Sequence, residues 1–266
     1  MEYNILLNLN TGDKKLNCFV DDMAGVYIDH GIKAGNIIKP GEKDFSRKHL
    51  HRNILATNWG RNEVGVEWKE NQFGAYDYVH KQVLLSPIFN DGGELGKRIN
   101  AIRTGIHEVG HAMRFDDHEP AIPEMQINDV GDPIDEILNC VAEDMISLSY
   151  FRNGGVQNVR DAWLELKDDG KLVYVIMTQK GRKIEMESSN YWSYPGVFRV
   201  VETLGMSIVD AIRCGMVLQR NDSRESVDKF ATYFSPFVDG NAKLTKLAPF
   251  TPKDYKRYIA EISKPY

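Results

Sequence analysis

Cysteine is scarce in this chain of 266 residues, which holds three in all. Cys18, Cys140 and Cys214 lie far apart and form no CxxC pair, which excludes a zinc ribbon and a disulfide-stapled scaffold. A reducing compartment is the expectation. Long apolar runs are missing as well. Nothing approaches the ~18 consecutive apolar residues that a membrane span needs, and mean hydropathy is −0.41. Positive charge is not in excess, since 33 Lys and Arg stand against 38 Asp and Glu for a net charge of −5. A surface built to neutralise phosphates is therefore not indicated, and neither nucleic acid nor a membrane is expected as a partner. The start, Met1-Glu2-Tyr3-Asn4, lacks the basic residues and apolar stretch of a secretory signal, so a cytoplasmic protein is expected. Neither an internal repeat nor a low-complexity tract is present.

What remains is ordinary globular material, 42% hydrophobic and 27% charged, enough for a sizeable core. Its character shifts midway. Residues 1–89 are rich in Asn, Gly and aromatics, and the short alternating runs at 64–68, 76–79 and 82–85 read as strands. Beyond residue 90 the apolar period is mostly helical. Two helices are expected within 90–152, and more near 197–219, 223–234 and 252–263. A hairpin is expected over 171–187 around Gln179-Lys180-Gly181-Arg182. No linker divides the chain. The expectation is a single α+β domain over 1–266, with a small N-terminal mixed or antiparallel sheet and a mostly helical part over 153–266.

The clearest helix runs from about 94 to 114. Leu95, Ile99, Ile102, Ile106, Val109 and Met113 recur every three or four residues as one stripe. Asp91, three residues before Glu94, resembles the cap of a capping box. The next helix is expected over 133–151, capped by Asp132, with Pro133 in its first turn and Asn153-Gly154-Gly155 as its stop.

In the middle of the first helix stands His107-Glu108-Val109-Gly110-His111, an HExxH motif. Residues at i and i+4 project from one helix face, so two imidazoles can share one ion while the Glu between them reaches a water on that ion. Zinc suits imidazole, and a catalytic zinc site keeps one position open for water. Glu108 would then take the water's proton during attack on a polarised carbonyl. The pattern points to a zinc-dependent peptidase acting on a peptide or protein substrate. The competing class is a non-catalytic binding or virion-associated module. Glu108 favours catalysis, because a purely structural zinc site needs no base.

A third ligand is required, and several residues compete for it. The turn after the motif offers Asp117 and His118, while the next helix offers acidic residues between Asp135 and Asp144. On a helical wheel, Ile134, Ile137, Leu138, Val141, Met145 and Leu148 form the apolar stripe of that helix. Glu143 lies nearly opposite, on what reads as a solvated acidic face with Glu136. Asp135, one turn before Asn139, is the wheel's own choice.

Over residues 76–150 the chain resembles the zincin metallopeptidases. It looks most like the metallopeptidase-like domain of bacteriophage proteins related to the cobaltochelatase subunit CobT. The residues that carry the likeness are Val83-Leu84-Leu85-Ser86-Pro87, Arg103 four before the motif, His107 to His111, Arg114-Phe115-Asp116-Asp117, and Asn139 with Glu143-Asp144. The resemblance implies a zincin-like fold and a gluzincin-like site, with Glu143 as third ligand beside His107 and His111. It also implies a protein encoded by a phage, acting in the host cell or the virion. Those phage proteins usually continue into a von Willebrand A domain. No DxSxS motif follows residue 150 here, so a chelatase-type ATPase partner does not carry over. A metzincin-like alternative uses Asp117 at the ligand offset with Met125 after it, but Arg114 stands where that pattern has glycine.

Other residues have plainer readings. Asp116 and His118 suit a polar turn, although either can orient an imidazole. Tyr191 and Tyr194 read as aromatic packing, with oxyanion stabilisation as the functional alternative. The basic run 47–52 reads as a solvated turn. Cys140 reads as core. The strand at 82–85 is expected at the edge of the site, free to pair with an extended substrate.

Overall fold

The computed structural model describes residues 13–35, 37–38, 55–58, 74–77, 82–85, 94–114, 131–188, 201, 205, 207–217 and 251–264. In chain order the elements are α1 (Asp13–Lys33), β1 (Leu55–Asn58), β2 (Gly74–Asp77), β3 (Gln82–Leu85), α2 (Leu95–Arg114), α3 (Gly131–Arg152), β4 (Val159–Leu166), β5 (Leu172–Thr178), β6 (Lys183–Glu187), α4 (Ile208–Val217) and α5 (Pro252–Ile262). The architecture is α+β. The strand expected at 64–68 and the helix expected at 223–234 lie outside the described residues.

The first sheet is mixed, in the order β1-β3-β2, with β1 parallel and β2 antiparallel to β3. Its strands are short; β2 and β3 lie on α2, burying Tyr76, Val83 and Leu85, while β1 lies on α1. The expected edge position of residues 82–85 is overturned. β3 pairs on both sides, so its backbone groups are already taken and it offers no ladder to a further strand. Among the described residues the edges are β1 and β2.

Two further expectations are corrected. The N-terminal part, expected to be rich in strands, also holds the 21-residue helix α1. Phe19, Val20, Met23, Ala24 and Tyr27 recur at helical spacing and are buried where α1 packs on α2 and α3. The part after 153 is not mainly helical at its start. The hairpin of β5 and β6 is present as expected, but β4 precedes it and pairs antiparallel with β5 to make a second sheet, in the order β4-β5-β6. A register shift between Val159 and Asp161 interrupts the alternation of β4, and this hides the strand from a period-two reading.

The central helix is α3. Every residue from Leu138 to Leu148 is buried, because α1 and α2 cover it on one side and β4, α4 and α5 on the other. It begins at Gly131, so Asp132 lies within the helix rather than capping it. The Glu94 carbonyl accepts from the Arg98 N–H at 3.1 Å where α2 begins, and Asp91 lies outside the described residues. The last helix, α5, is well specified. The Asp254 carboxylate accepts the Thr251 N–H at 2.7 Å, Pro252 stands in the first turn, and Tyr258 and Ile262 face inward.

Candidate metal centre

Arg103, His107 and His111 occupy successive turns of α2 and share one face, the i, i+4, i+8 relation. That face meets α3, which runs in the opposite direction. Arg103 lies against Glu143 and Asp144, His107 against Glu143 and Cys140, and the next turn against Asn139. The two helices cross closely because residue 110 has no side chain. A Cβ there would run into the Asn139 amide, whose Cγ would be 3.0 Å away, and would come within 3.2 Å of the Tyr27 ring. The same amide donates from Nδ2 to the His107 carbonyl at 2.7 Å, so Asn139 ties the backbone of the motif to α3. Gly110→Ala is therefore expected to destabilise the fold by about 1–3 kcal/mol through overpacking. An open helix site would instead gain up to about 1 kcal/mol from the same change. Urea unfolding decides between the signs.

The imidazole of His107 works on both sides. On one, Nδ1 donates to Glu143 Oε2 at 3.1 Å, with Cys140 Sγ 3.7 Å from the same nitrogen. His107, Cys140 and Glu143 form a possible metal-binding triad, their ligand atoms all within 4.8 Å of one another. On the other side, Nε2 of His107 faces Nε2 of His111 at 3.1 Å. Nδ1 and Nε2 of the one His107 ring point away from each other, so an ion seated on Nδ1 is not the ion seated on Nε2. As placed, Glu143 belongs to the Nδ1 side. With its Nδ1 proton on Glu143, His107 turns a lone pair toward His111, the ligand form of a neutral imidazole. Two nitrogens bound tetrahedrally at ~2.0–2.1 Å lie about 3.3–3.4 Å apart, close to the spacing found. The pair fits a divalent cation.

Behind the histidines lies a buried polar cluster. One Arg103 Nη2 reaches Glu143 Oε1 at 2.8 Å and Asp144 Oδ1 at 3.1 Å, while its guanidinium carbon sits 4.4 Å above the Tyr174 ring of β5. The Tyr258 hydroxyl of α5 donates to Asp144 Oδ2 at 2.8 Å, and Ser147 Oγ lies 3.1 Å from the Tyr174 hydroxyl. Burial holds the Asp144 carboxyl well above the usual carboxylate range. The Glu143 charge adds to the rise, while Arg103 and the Tyr258 hydroxyl oppose it. Burial likewise pushes the Tyr174 and Tyr258 phenols upward. At Glu143 the wheel's solvated acidic face is overturned, since that side chain is 8% exposed. From Leu138 to Leu148 α3 is covered all round, and a carboxylate placed opposite the main stripe meets Arg103 instead of water.

Glu108 is buried on the adjoining face of α2. A Cβ on Gly74, the first residue of β2, would lie 3.0 Å from Glu108 Oε1 and 2.7 Å from the Thr104 methyl. The bare backbone of an edge strand thus runs directly over the Glu108 carboxylate.

His107, His111 and Glu143 are brought together, and Glu108 stands beside them on the adjoining face of α2. Of the competing third ligands, Asp135 lies in the first turns of α3, and Asp117 and His118 fall outside the described residues, as do Asp116, Met125, Tyr191, Tyr194 and the run 47–52. α2 stays helical through Arg114. Sequence reading passed over Tyr174 and Tyr258, since a buried tyrosine looks like any other core aromatic until its hydroxyl finds a partner. Cys140 is buried as expected, but against His107. Comparison with protein-family models, with curated proteins and with solved structures gives no match.

Proposed function

We propose that the chain is a zinc-dependent, zincin-like metallopeptidase that hydrolyses peptide bonds, with Glu108 as general base and with His107 and His111 as metal ligands through Nε2. The observation that carries this reading is the facing Nε2 pair at 3.1 Å on the helix that also presents Glu108. When bound, zinc supplies a Lewis acid that polarises a carbonyl and makes water acidic enough to deprotonate near neutral pH. Glu108 accepts the proton of the attacking water and passes it to the departing amine. An extended peptide added to β2 as a further strand runs past that carboxylate, so β2 takes the substrate-aligning part expected of 82–85.

The resemblance nominates Glu143 as the third ligand. Its position on Nδ1 of His107 supports another task, holding that imidazole with its lone pair aimed at the metal. In that case the third ligand comes from elsewhere, and Asp135, Asp117 and His118 are the candidates. One observation favours a second reading. The triad of His107, Cys140 and Glu143 suits an ion held by a thiolate on the Nδ1 side, as in a non-catalytic metal-binding module.

Elemental analysis of protein purified without chelator is expected to find about one zinc per chain, lost in His111→Ala. The loaded protein is expected to cleave an unstructured polypeptide. A zinc content near zero that dialysis against zinc fails to raise would contradict the proposal.

A further inference from the structure

The polar cluster behind the histidines has a direction. It starts on α5, where Tyr258 donates to Asp144 Oδ2 at 2.8 Å. Asp144 Oδ1 and Glu143 Oε1 share one Arg103 nitrogen at 3.1 and 2.8 Å, and Glu143 Oε2 accepts a hydrogen bond from His107 Nδ1 at 3.1 Å. Each link uses a different oxygen of its carboxylate, so the chain is continuous from a phenol of the last helix to the imidazole. It is also rigid. Asp144 and Tyr258 are fully buried, and the Tyr174 ring closes one face of the guanidinium.

Asp144 has little reason to be where it is apart from this chain. Two carboxyls against one guanidinium do not balance in the interior, and burying the second costs free energy unless hydrogen bonds satisfy it. The Tyr258 hydroxyl is the donor that meets this cost from outside the α2–α3 pair. The end of α5 is fastened as well. Arg152 Nη1 of α3 donates to the Ser263 carbonyl at 2.9 Å, and Arg152 Nε donates to the Ala162 carbonyl of β4 at 2.7 Å. A cation is favourable at that helix terminus.

We propose that α5 is a positioning element of the metal centre. By holding Asp144, Tyr258 fixes where Arg103 sits between the two carboxylates, and Arg103 in turn holds Glu143 as the acceptor that keeps the His107 proton on Nδ1. Without the Tyr258 hydroxyl, Asp144 draws Arg103 toward itself, Glu143 loosens, and His107 populates the tautomer with its proton on Nε2. In that form it cannot bind a cation through Nε2. Helix α5 therefore controls the readiness of the site without touching it. The inference rests on reading His107 as an Nε2 ligand, but its first readout needs no metal.

Long-range ¹H–¹⁵N spectra of the imidazoles in the full-length, metal-free protein report the tautomer of His107 directly. The wild type is expected to show one form, protonated on Nδ1. Tyr258→Phe keeps the ring and its packing and is expected to show both forms, with zinc affinity lowered about 10-fold, the scale typical of lost outer partners of a metal ligand. A wild-type His107 protonated on Nε2 would overturn the proposal. So would an unchanged tautomer in Tyr258→Phe, whether or not its melting temperature falls, because packing alone would then be the role of the ring. If Tyr258→Phe does not fold, Asp144→Asn breaks the same link at nearly constant volume and is read by the same criteria. Failure of the metallopeptidase reading shows separately, as a wild-type protein that binds no zinc while the tautomer result stands.

Discussion

Glu108→Gln is expected to keep zinc and fold while losing about 10²–10⁴-fold in the rate of peptide hydrolysis, the range that a positioned general base contributes. The glutamine amide has the shape of the carboxylate and fits the same space between α2 and the start of β2. Its oxygen can still accept a hydrogen bond, but it cannot take a proton. The environment sharpens the test. Glu108 is buried, and the Gly74 backbone lies against its side chain, so no large rearrangement is available to bring another carboxylate to the same place. The comparison is cleavage of an unstructured polypeptide by both forms at equal metal content. Equal rates would show that Glu108 is not the base.

Arg103→Met is expected to cost about 3–5 kcal/mol of stability, the scale for removing one partner of a buried ion pair. Methionine replaces much of the volume and leaves Glu143 and Asp144 facing each other without a cation. The pH dependence has a definite sign. A buried carboxyl whose pKa is raised binds protons more readily when folded than when unfolded, so stability falls as pH rises from the ordinary carboxylate range upward. Burial raises Asp144 while Arg103 opposes the rise, and its removal steepens that fall. The variant is therefore expected to be closest to wild type near pH 4 and to lose ground steadily toward pH 7. Urea unfolding at several pH values measures both effects. A loss under about 1 kcal/mol at neutral pH would mean that the cluster is better hydrated than its burial indicates.

The placement of the motif on its helix was more legible in the sequence than its surroundings were. HExxH is a local pattern whose meaning depends only on helix geometry, and α2 supplies it with the stripe read from 94 to 114. The bounds of α2, α3 and β3 came close for the same reason. Residues whose meaning depends on what packs against them were read poorly. Glu143 looked solvated because a wheel records one helix, whereas α3 is covered on all sides from Leu138 to Leu148. Residues 82–85 were read as a strand, but which strand is the edge depends on β1 and β2, which adjoin it through pairing that no local pattern encodes. α1 was legible in Phe19, Met23 and Tyr27 and was missed because nearby Asn, Gly and aromatics suggested short strands. Arg103 carried a usable signal, a charge on the face that also bears both histidines. Tyr258 carried none, since it reaches Asp144 across 114 residues of sequence.

The central claim is that the ion sits between His107 and His111 rather than between His107 and Cys140. X-ray absorption at the zinc edge of the loaded protein measures this directly. The account predicts only nitrogen and oxygen donors, at about 2.0–2.1 Å, with imidazole scattering from two histidines. A sulfur donor at about 2.3 Å would place the ion on the Nδ1 side with Cys140 and would contradict the account.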